Sequence, residues 1–208
     1  PVKNDLTTDG SVLITGSNAS GKSTFLKTVA LGSILAQTVH TVLADSYEGA
    51  MCRPVSSMSL RDDVQGGDSY YMVEIKSLKR ILDLLETEGL PVLWFVDEVL
   101  RGTNTIERIA ASTQILKCIA KKNHMCFAAT HDIELTYLLE GFYHNYHFEE
   151  EIAENDISFS YKIMEGRAST RNAIRLLGIM GYAPDIIEEA EAMEGDIALQ
   201  GYYSEMRK

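Results

Sequence analysis

The chain has 208 residues, of which 45% are hydrophobic and 24% are charged, and its formal net charge is −11. This length and composition fit one folded domain, or one domain with a small appendage, and exclude a chain that is disordered throughout. The acidic balance argues against a large DNA-binding surface on this segment, because a duplex-binding face needs Lys and Arg side chains opposite the phosphates.

Short apolar runs and helical patterns alternate through the first half of the chain. Residues 11–15 predict a short buried strand, which a Gly-rich turn connects to a helix predicted over 22–40. A second strand is predicted over 56–60, and the polar residues 62–68 predict a loop. Apolar residues then recur at helical spacing over 69–88. The apolar face of this predicted helix consists of Met72, Ile75, Leu78, Ile81, Leu82 and Leu85.

The second half of the chain begins with a nearly continuous apolar run. Residues 91–96 predict a strand that is buried on both faces. A helix over 105–122 and another short buried strand over 125–130 follow. The remaining predicted elements are a helix over 132–139, an antiparallel pair of strands over 142–149 and 157–164, and helices over 170–177 and 184–193.

The order of these elements defines the expected fold class. Strands that alternate with helices predict an α/β fold with a mostly parallel central sheet that helices cover on both faces. The sequence contains no internal repeat and no Pro-rich linker. We therefore predict a core domain over 1–165 and a small helical extension over 166–208, which packs on the core or on a dimer partner.

Cysteine content and hydropathy predict the cellular compartment. The three cysteines lack the spacing of metal ligands, which predicts buried free thiols and a reducing environment. No apolar run approaches the ~20 residues of a membrane-spanning helix. We therefore expect a cytoplasmic protein without a membrane partner.

A phosphate-binding loop is predicted between the first strand and the first helix. Residues 16–24 read G-S-N-A-S-G-K-S-T and fit the pattern G-x-x-x-x-G-K-[S/T]. In such a loop the backbone N–H groups and the helix N-terminus face phosphate oxygens. Lys22 is expected to reach the β- and γ-phosphates, and Ser23 to offer its hydroxyl to Mg²⁺. The predicted ATP phosphate-binding residues are Gly16, Ser17, Asn18, Ala19, Ser20, Gly21, Lys22, Ser23 and Thr24.

Two adjacent acidic residues end the apolar run of the second half. Asp97 and Glu98 follow W-F-V, which predicts carboxylates at the carboxyl edge of the sheet, where ligands bind in open α/β folds. We predict that Asp97 binds Mg²⁺ together with Ser23, and that Glu98 acts as general base toward water. A solvated acidic turn is the alternative, which the phosphate-loop motif disfavours.

His131 follows the next predicted strand. At this strand end it is expected to lie near the γ-phosphate, where it donates a hydrogen bond or orients the attacking water. An ordinary surface histidine is the alternative. We reject a metal site at His144, His147 and Glu149, because strand residues three positions apart point to opposite faces.

Several segments resemble the MutS DNA mismatch-repair family. The sequence D-E-V-L-R-G-T-N-T at 97–105 is similar to the D-E-I-G-R-G-T-S-T stretch of MutS proteins, and D-S-Y-Y-M-V-E-I at 68–75 is similar to S-T-F-M-V-E-M. Residues 127–136, F-A-A-T-H-D-I-E-L-T, resemble the family's F-A-T-H-Y-x-E-L-T. Residues 166–169 and 178–190 resemble the end of a MutS protein.

The resemblance implies a P-loop ATPase of the ABC type that works as a homodimer. Each ATP would lie between the phosphate loop of one subunit and the Ser69 region of its partner. Hydrolysis would be coupled to DNA binding by other domains of the full-length protein, in mismatch repair. Ser17, Ala19, Ser20 and Leu100 depart from the family pattern of Pro, Met, Gly and Gly, which suggests a divergent MutS-like paralogue.

Three other interpretations stay open at this point. The chain could be the ATPase domain of a MutS-like paralogue that acts on branched or recombination DNA. It could belong to an ABC-type ATPase without a DNA role, although an S-G-G-Q type signature is absent before 91–96. It could also be a nucleotide-gated binding module that hydrolyses little ATP, which Glu98 and His131 argue against. The residue that contacts adenine is not assigned.

Overall fold

The computed structural model describes residues 2–17, 19–58, 70–101, 103–121, 124–152, 157–168 and 173–199. Strands and helices alternate through most of this part of the chain. The strands are β1 (Ser11–Thr15), β2 (Arg53–Ser57), β3 (Val92–Asp97), β4 (Met125–Ala129), β5 (Tyr143–Ile152) and β6 (Ile157–Glu165). The helices are α1 (Lys22–Thr38), α2 (Tyr70–Leu84), α3 (Thr105–Ala120), α4 (Glu134–Leu138), α5 (Ala173–Ile179) and α6 (Pro184–Leu199).

The strands form a six-stranded sheet in the order β2-β3-β4-β1-β5-β6. Four pairs are parallel: β2 with β3, β3 with β4, β4 with β1, and β1 with β5. At the far edge the backbone N–H of Gly166, just after β6, donates to the carbonyl of Asn145 near the start of β5, at 2.8 Å. The end of β6 therefore meets the beginning of β5, and this pair is antiparallel. The predicted α/β fold with a mostly parallel sheet is confirmed.

The two faces of the sheet belong to two hydrophobic clusters. Successive strand residues point to opposite faces, so Leu13 and Trp94 join one cluster while Val12 and Phe95 join the other. Helices α2 and α3 cover the first face with Leu78, Ile81, Ile109, Leu116 and Ile119. Helix α1 covers the second face with Leu26 and Ala30. Burial on both sides explains why β1, β3 and β4 are almost entirely apolar.

The second strand and the helix that follows it differ from prediction. The strand lies at Arg53–Ser57 instead of 56–60, and residues 59 and 60 fall outside the described part of the chain. The helix ends at Leu84 rather than 88. The Leu84 carbonyl accepts hydrogen bonds from the Thr87 hydroxyl at 2.8 Å and from the Arg53 guanidinium at 3.3 Å. These bonds replace the next hydrogen bond of the helix, so the helix ends here.

The apolar face predicted for this helix was wrong at one position. Met72 is exposed, whereas Glu74 lies on the buried face together with Leu78 and Ile81. These three residues follow the i, i+4, i+7 spacing of one helix face. The buried stripe therefore runs through an acidic residue, which a hydropathy pattern alone does not select.

The chain divides into two compact units. The first comprises Pro1–Glu149 and Ser160–Ala168, and the second comprises Glu150–Phe159 and Ser169–Lys208. Within the second unit, α5 packs against α6 where Gly178 leaves room for the Ile187 side chain. The boundary between residues 165 and 166 stays a prediction. Throughout the described residues, every helix is too short or too polar to cross a membrane.

Candidate functional site

The ends of three neighbouring parallel strands meet at one edge of the sheet. Ala129 of β4 pairs with Ile14 on one side and with Asp97 on the other. Two further backbone hydrogen bonds extend this alignment beyond the strands: Glu98 N–H donates to Ala129 at 2.9 Å, and Thr130 N–H donates to Ile14 at 3.0 Å. The predicted phosphate loop, acidic pair and histidine therefore leave the sheet side by side.

Two glycines shape the loop after β1. Gly16 has a φ of 142°, and a Cβ atom there would lie 2.8 Å from the carbonyl oxygen of Phe148. Gly21 has a φ of 113° and directly precedes α1. Between them the Ser20 hydroxyl donates to the carbonyl of Ser17 at 2.9 Å. A side chain would be strained by the positive φ at both glycines, and at Gly16 it would also clash with the Phe148 carbonyl. Asn18, which was also predicted to bind phosphate, lies outside the described residues.

Lys22 folds back over the loop that precedes it. Its side-chain ammonium donates to the carbonyl oxygens of Gly16 and Ser17, both at 2.6 Å. Lys22 is only 5% exposed, because the loop wraps around it. The loop therefore holds a buried positive charge beside the N-terminus of α1, and both features favour an anion.

Ser23 and Asp97 come into direct contact although 74 residues separate them. The Ser23 hydroxyl donates to Oδ2 of Asp97 at 2.5 Å. A hydroxyl and a carboxylate at this distance are oxygen ligands of the kind Mg²⁺ takes, with waters and nucleotide oxygens completing its shell. Among the described residues, no group of three or more His, Cys, Asp and Glu side chains could hold a metal. Ser23 and Asp97 therefore supply two of the oxygen ligands that a bound Mg²⁺ would need.

Glu98 lies between a histidine and an arginine. Its Oε1 is 2.8 Å from Nε2 of His131, and its Oε2 is 3.0 Å from Nε of Arg101. Burial by itself raises the pKa of Glu98, but the hydrogen bond and charge of His131, with Arg101 and Lys22, outweigh burial and lower the pKa. The carboxylate is therefore ionised at neutral pH, as a general base must be.

The turn that carries Glu98 has an unusual backbone. Glu98 has a φ of 60° and Leu100 a φ of 61°, in the left-handed region that glycine favours. A residue with a side chain is strained at both positions. The backbone N–H of Leu100 donates to Oε1 of Glu74 at 2.5 Å. Sequence analysis did not select Glu74 as a site residue, although Glu74 lies in the D-S-Y-Y-M-V-E-I segment that resembles the MutS family.

A bidentate ion pair fixes the turn that carries His131. Arg108 of α3 donates from Nε and Nη2 to the Asp132 carboxylate at 2.8 and 2.6 Å. The backbone N–H of Asp132 in turn donates to the Thr130 hydroxyl at 3.0 Å. His131 itself is exposed, so its orientation depends on these neighbours and on its contact with Glu98.

An aromatic residue that sequence analysis did not single out borders the phosphate loop. The Tyr161 ring would lie 3.4 Å from a Cβ atom on Gly21, and Tyr161 is 44% exposed with a φ of 53°. Asn4 holds this part of β6, because its side chain donates to the Tyr161 carbonyl and accepts from the Ile163 N–H, both at 2.9 Å. An exposed ring at the rim of the loop can offer its face to a nucleotide base.

The structure thus brings most of the predicted site residues to one sheet edge. Ser23 with Asp97, and Glu98 with His131, are in contact. Ser69, the residue expected to act across a dimer, lies outside the described residues.

Comparison with known proteins gives consistent matches. A family model described as MutS domain V matches residues 12–198. A DNA mismatch repair protein MutS of Thermus thermophilus is 31% identical over 183 residues, which cover 88% of this chain and 22% of that protein. The MutS protein of Pseudothermotoga lettingae is 32% identical over 204 residues, covering 95% of this chain and 25% of that protein. The MutS protein of Clostridium botulinum strain Hall is 34% identical over 196 residues, which cover 89% of this chain and 21% of that protein. The chain therefore spans about a quarter or less of these relatives.

The lowered pKa of Glu98 predicts a pH-dependent contribution to stability. A carboxyl group whose pKa is lower in the folded state than in the unfolded state stabilises the fold at pH values above its unfolded pKa, which for Glu is about 4.5. This stabilisation is lost as the pH falls through the folded-state pKa. Glu98→Gln is therefore expected to lower the free energy of unfolding by about 1 kcal/mol at pH 7. The difference in the free energy of unfolding between Glu98→Gln and the parent should shrink progressively as the pH falls below 4.5.

Urea unfolding of both proteins across this pH range measures the effect. Glu48→Gln, which changes an exposed carboxylate remote in sequence from the site, is the matched control and should differ little from the parent at any pH. Equal stability of Glu98→Gln and the parent at pH 7 would contradict the prediction, as would a gap that widens in acid.

Proposed function

The chain belongs to the MutS family through domain V, and from this premise we propose that it is the ATP-binding and ATP-hydrolysing motor domain of a MutS-like protein. Its fold is then a P-loop ATPase of the ABC type, with ATP as substrate and Mg²⁺ as cofactor. The observation that carries the proposal is the meeting of Ser23 with Asp97 and of Glu98 with His131 at the end of the phosphate loop.

Binding of the nucleotide follows from the loop. The β- and γ-phosphates lie against the backbone N–H groups at the start of α1, where the helix dipole favours them. Lys22 exchanges its carbonyl partners at Gly16 and Ser17 for phosphate oxygens, which also relieves the close packing of its ammonium. Ser23 and Asp97 hold Mg²⁺, which when bound neutralises charge on the phosphate oxygens.

Hydrolysis uses the carboxylate at the sheet edge. Glu98 accepts a proton from the attacking water, and His131 keeps that carboxylate ionised and oriented. Each carboxylate oxygen of Glu98 has two lone pairs, so a water can donate to Glu98 beside its present contacts with His131 and Arg101. Arg101, whose side chain is 46% exposed, is the partner of Glu98 that solvent reaches most readily, and we propose that the attacking water approaches from this side.

The family relationship supports a larger assembly. We propose a homodimer in which Ser69 contacts the ATP held by the partner subunit, with DNA bound by other domains of the full-length protein. Nucleotide state then controls DNA binding in mismatch repair. The departures at Ser17, Ala19, Ser20 and Leu100 favour a second candidate: a divergent MutS-like paralogue that acts on branched or recombination DNA.

Two substitutions separate binding from hydrolysis. Lys22→Ala is expected to weaken ATP binding about tenfold or more, because it removes a charged contact to phosphate. Glu98→Gln should bind ATP normally but lower kcat about 100-fold or more, because the general base is lost. Titration with a fluorescent ATP analogue and steady-state turnover measure the two effects. Lys27→Ala, an exposed lysine of the same helix, is the control. Unchanged turnover in Glu98→Gln would instead support a nucleotide-gated binding module.

Mixed dimers test the role of Ser69 across the subunit interface. Lys22→Ala and Ser69→Ala proteins should each hydrolyse ATP poorly alone. Mixing them should restore about a quarter of the parent turnover, because half the dimers are mixed and each has one intact site. A mixture as inactive as its components would contradict action in trans, and would place Ser69 in the site of its own subunit.

The response to DNA tests the biological role of the full-length protein. Turnover is measured without DNA and with homoduplex, mismatched duplex and branched DNA. A change in turnover caused by mismatched duplex alone is expected if the protein acts in mismatch repair. A change caused by branched DNA alone would favour the paralogue. No response to any DNA would leave an ABC-type ATPase without a DNA role.

A further inference from the structure

Helix α2 carries a carboxylate into the hydrophobic core. Glu74 is 2% exposed and lies on the same face as Leu78 and Ile81. An acid at this position loses its hydration, and that loss destabilises the fold unless polar partners replace the water. An apolar residue would fill the same space without that cost in free energy. The hydrogen bonds of Glu74 therefore indicate why a carboxylate stands at this position.

The partners of Glu74 lie in the turn after β3. Its Oε1 accepts from the backbone N–H of Leu100 at 2.5 Å. Leu100 is itself buried, so its N–H has no access to water and needs an acceptor within the protein. A second contact fixes the same turn from α3, because the Ser112 hydroxyl donates to the Val99 carbonyl at 3.2 Å. The two helices on this face therefore hold the two ends of a single peptide group of the turn, the one that joins Val99 to Leu100.

This turn has little intrinsic stability. Glu98 and Leu100 both have positive φ angles, and each costs about 1 kcal/mol or more for a residue with a side chain. A conformation of this kind persists only where surrounding contacts impose it. The hydrogen bond from Leu100 to Glu74 is such a contact, two residues away from the carboxylate that faces His131.

The electrostatics of Glu74 agree with this geometry. Burial raises the pKa of Glu74, while hydrogen bonds from the backbone N–H groups of Leu100 and Arg101 and the Arg101 charge lower it, and the Glu98 charge raises it. Its second oxygen, Oε2, is buried without a hydrogen-bond partner among the described residues. The carboxylate oxygen of Glu74 that accepts a hydrogen bond therefore accepts it from the turn after β3.

We infer that Glu74 is a positioning residue: by accepting the Leu100 N–H it holds the turn that aims Glu98 at His131. This inference rests on the proposed ATPase function. It adds a direct mechanical link between α2 and the general base of the same subunit, since a shift of α2 would move the acceptor and release the turn. Glu74 touches neither nucleotide nor water in this role.

Three variants of the full-length protein test the inference. Glu74→Gln keeps an oxygen that can accept the Leu100 N–H, whereas Glu74→Met has a similar size and no comparable acceptor. Ile81→Ala opens a cavity two turns along the same buried face and leaves the Glu74 carboxylate in place, and it serves as the control for lost stability. Each is compared with the parent for kcat, KM, affinity for a non-hydrolysable ATP analogue, and melting temperature.

We expect Glu74→Met to lower kcat about tenfold or more with KM and analogue affinity within about threefold of the parent. Glu74→Gln should keep kcat within about threefold, and Ile81→Ala should melt earlier yet keep its turnover well below that temperature. Parent-like kcat in Glu74→Met would overturn the inference. So would an equal loss of kcat in Ile81→Ala, or a loss in Glu74→Gln as large as in Glu74→Met.

A second readout does not depend on turnover. The ring resonance of His131, observed by histidine-selective labelling and assigned by its loss in His131→Ala, reports the contact with Glu98. It should shift in Glu74→Met and stay in place in Ile81→Ala, and an unshifted resonance in both would overturn the positioning role. A parent protein without ATPase activity would refute the proposed function, while this resonance would still decide the role of Glu74.

Discussion

The parallel pairing of β1, β4 and β3 is the constraint on which the candidate site depends. Ala129 stands between Ile14 and Asp97 in adjacent ladders, so the three chain segments leave the sheet at one level. A slip of one residue in either ladder would turn every following side chain to the opposite face. Packing on both faces opposes such a slip, because each side chain would then have to fit the hydrophobic cluster that is built around its neighbours in the chain.

Beyond the sheet edge, regular structure gives way to turns that other side chains hold. Glu98 and Leu100 adopt left-handed backbone angles, which oppose folding by about 1 kcal/mol or more each. Hydrogen bonds of comparable strength oppose this strain, including the Glu98 N–H to Ala129 and the Leu100 N–H to Glu74. The balance is close, which makes the turn sensitive to small movements of its supports. In the proposed ATPase, this sensitivity would let small movements of α2 or β4 change the position of Glu98.

The sequence predicts the central elements well and the supports poorly. Strands β1, β3 and β4 are predicted because burial on both faces leaves a continuous apolar run. The edge strand β2 was misplaced, since Arg53 and Ser56 give it no such pattern. The contact of Ser23 with Asp97 follows from motif and topology together. The role of Glu74 does not, because an acceptor for a peptide 26 residues away is defined only by tertiary packing.

Net charge and local charge act on different polyanions. The chain carries a formal charge of −11, which disfavours an extended duplex, whose phosphates would face many carboxylates at once. A nucleotide experiences mainly the charges within a Debye length, about 8 Å at physiological salt. At the phosphate loop these include the buried Lys22 ammonium and the N-terminus of α1. Under the proposed function, the same acidic chain binds a triphosphate at one point and leaves DNA binding to other domains of the full-length protein.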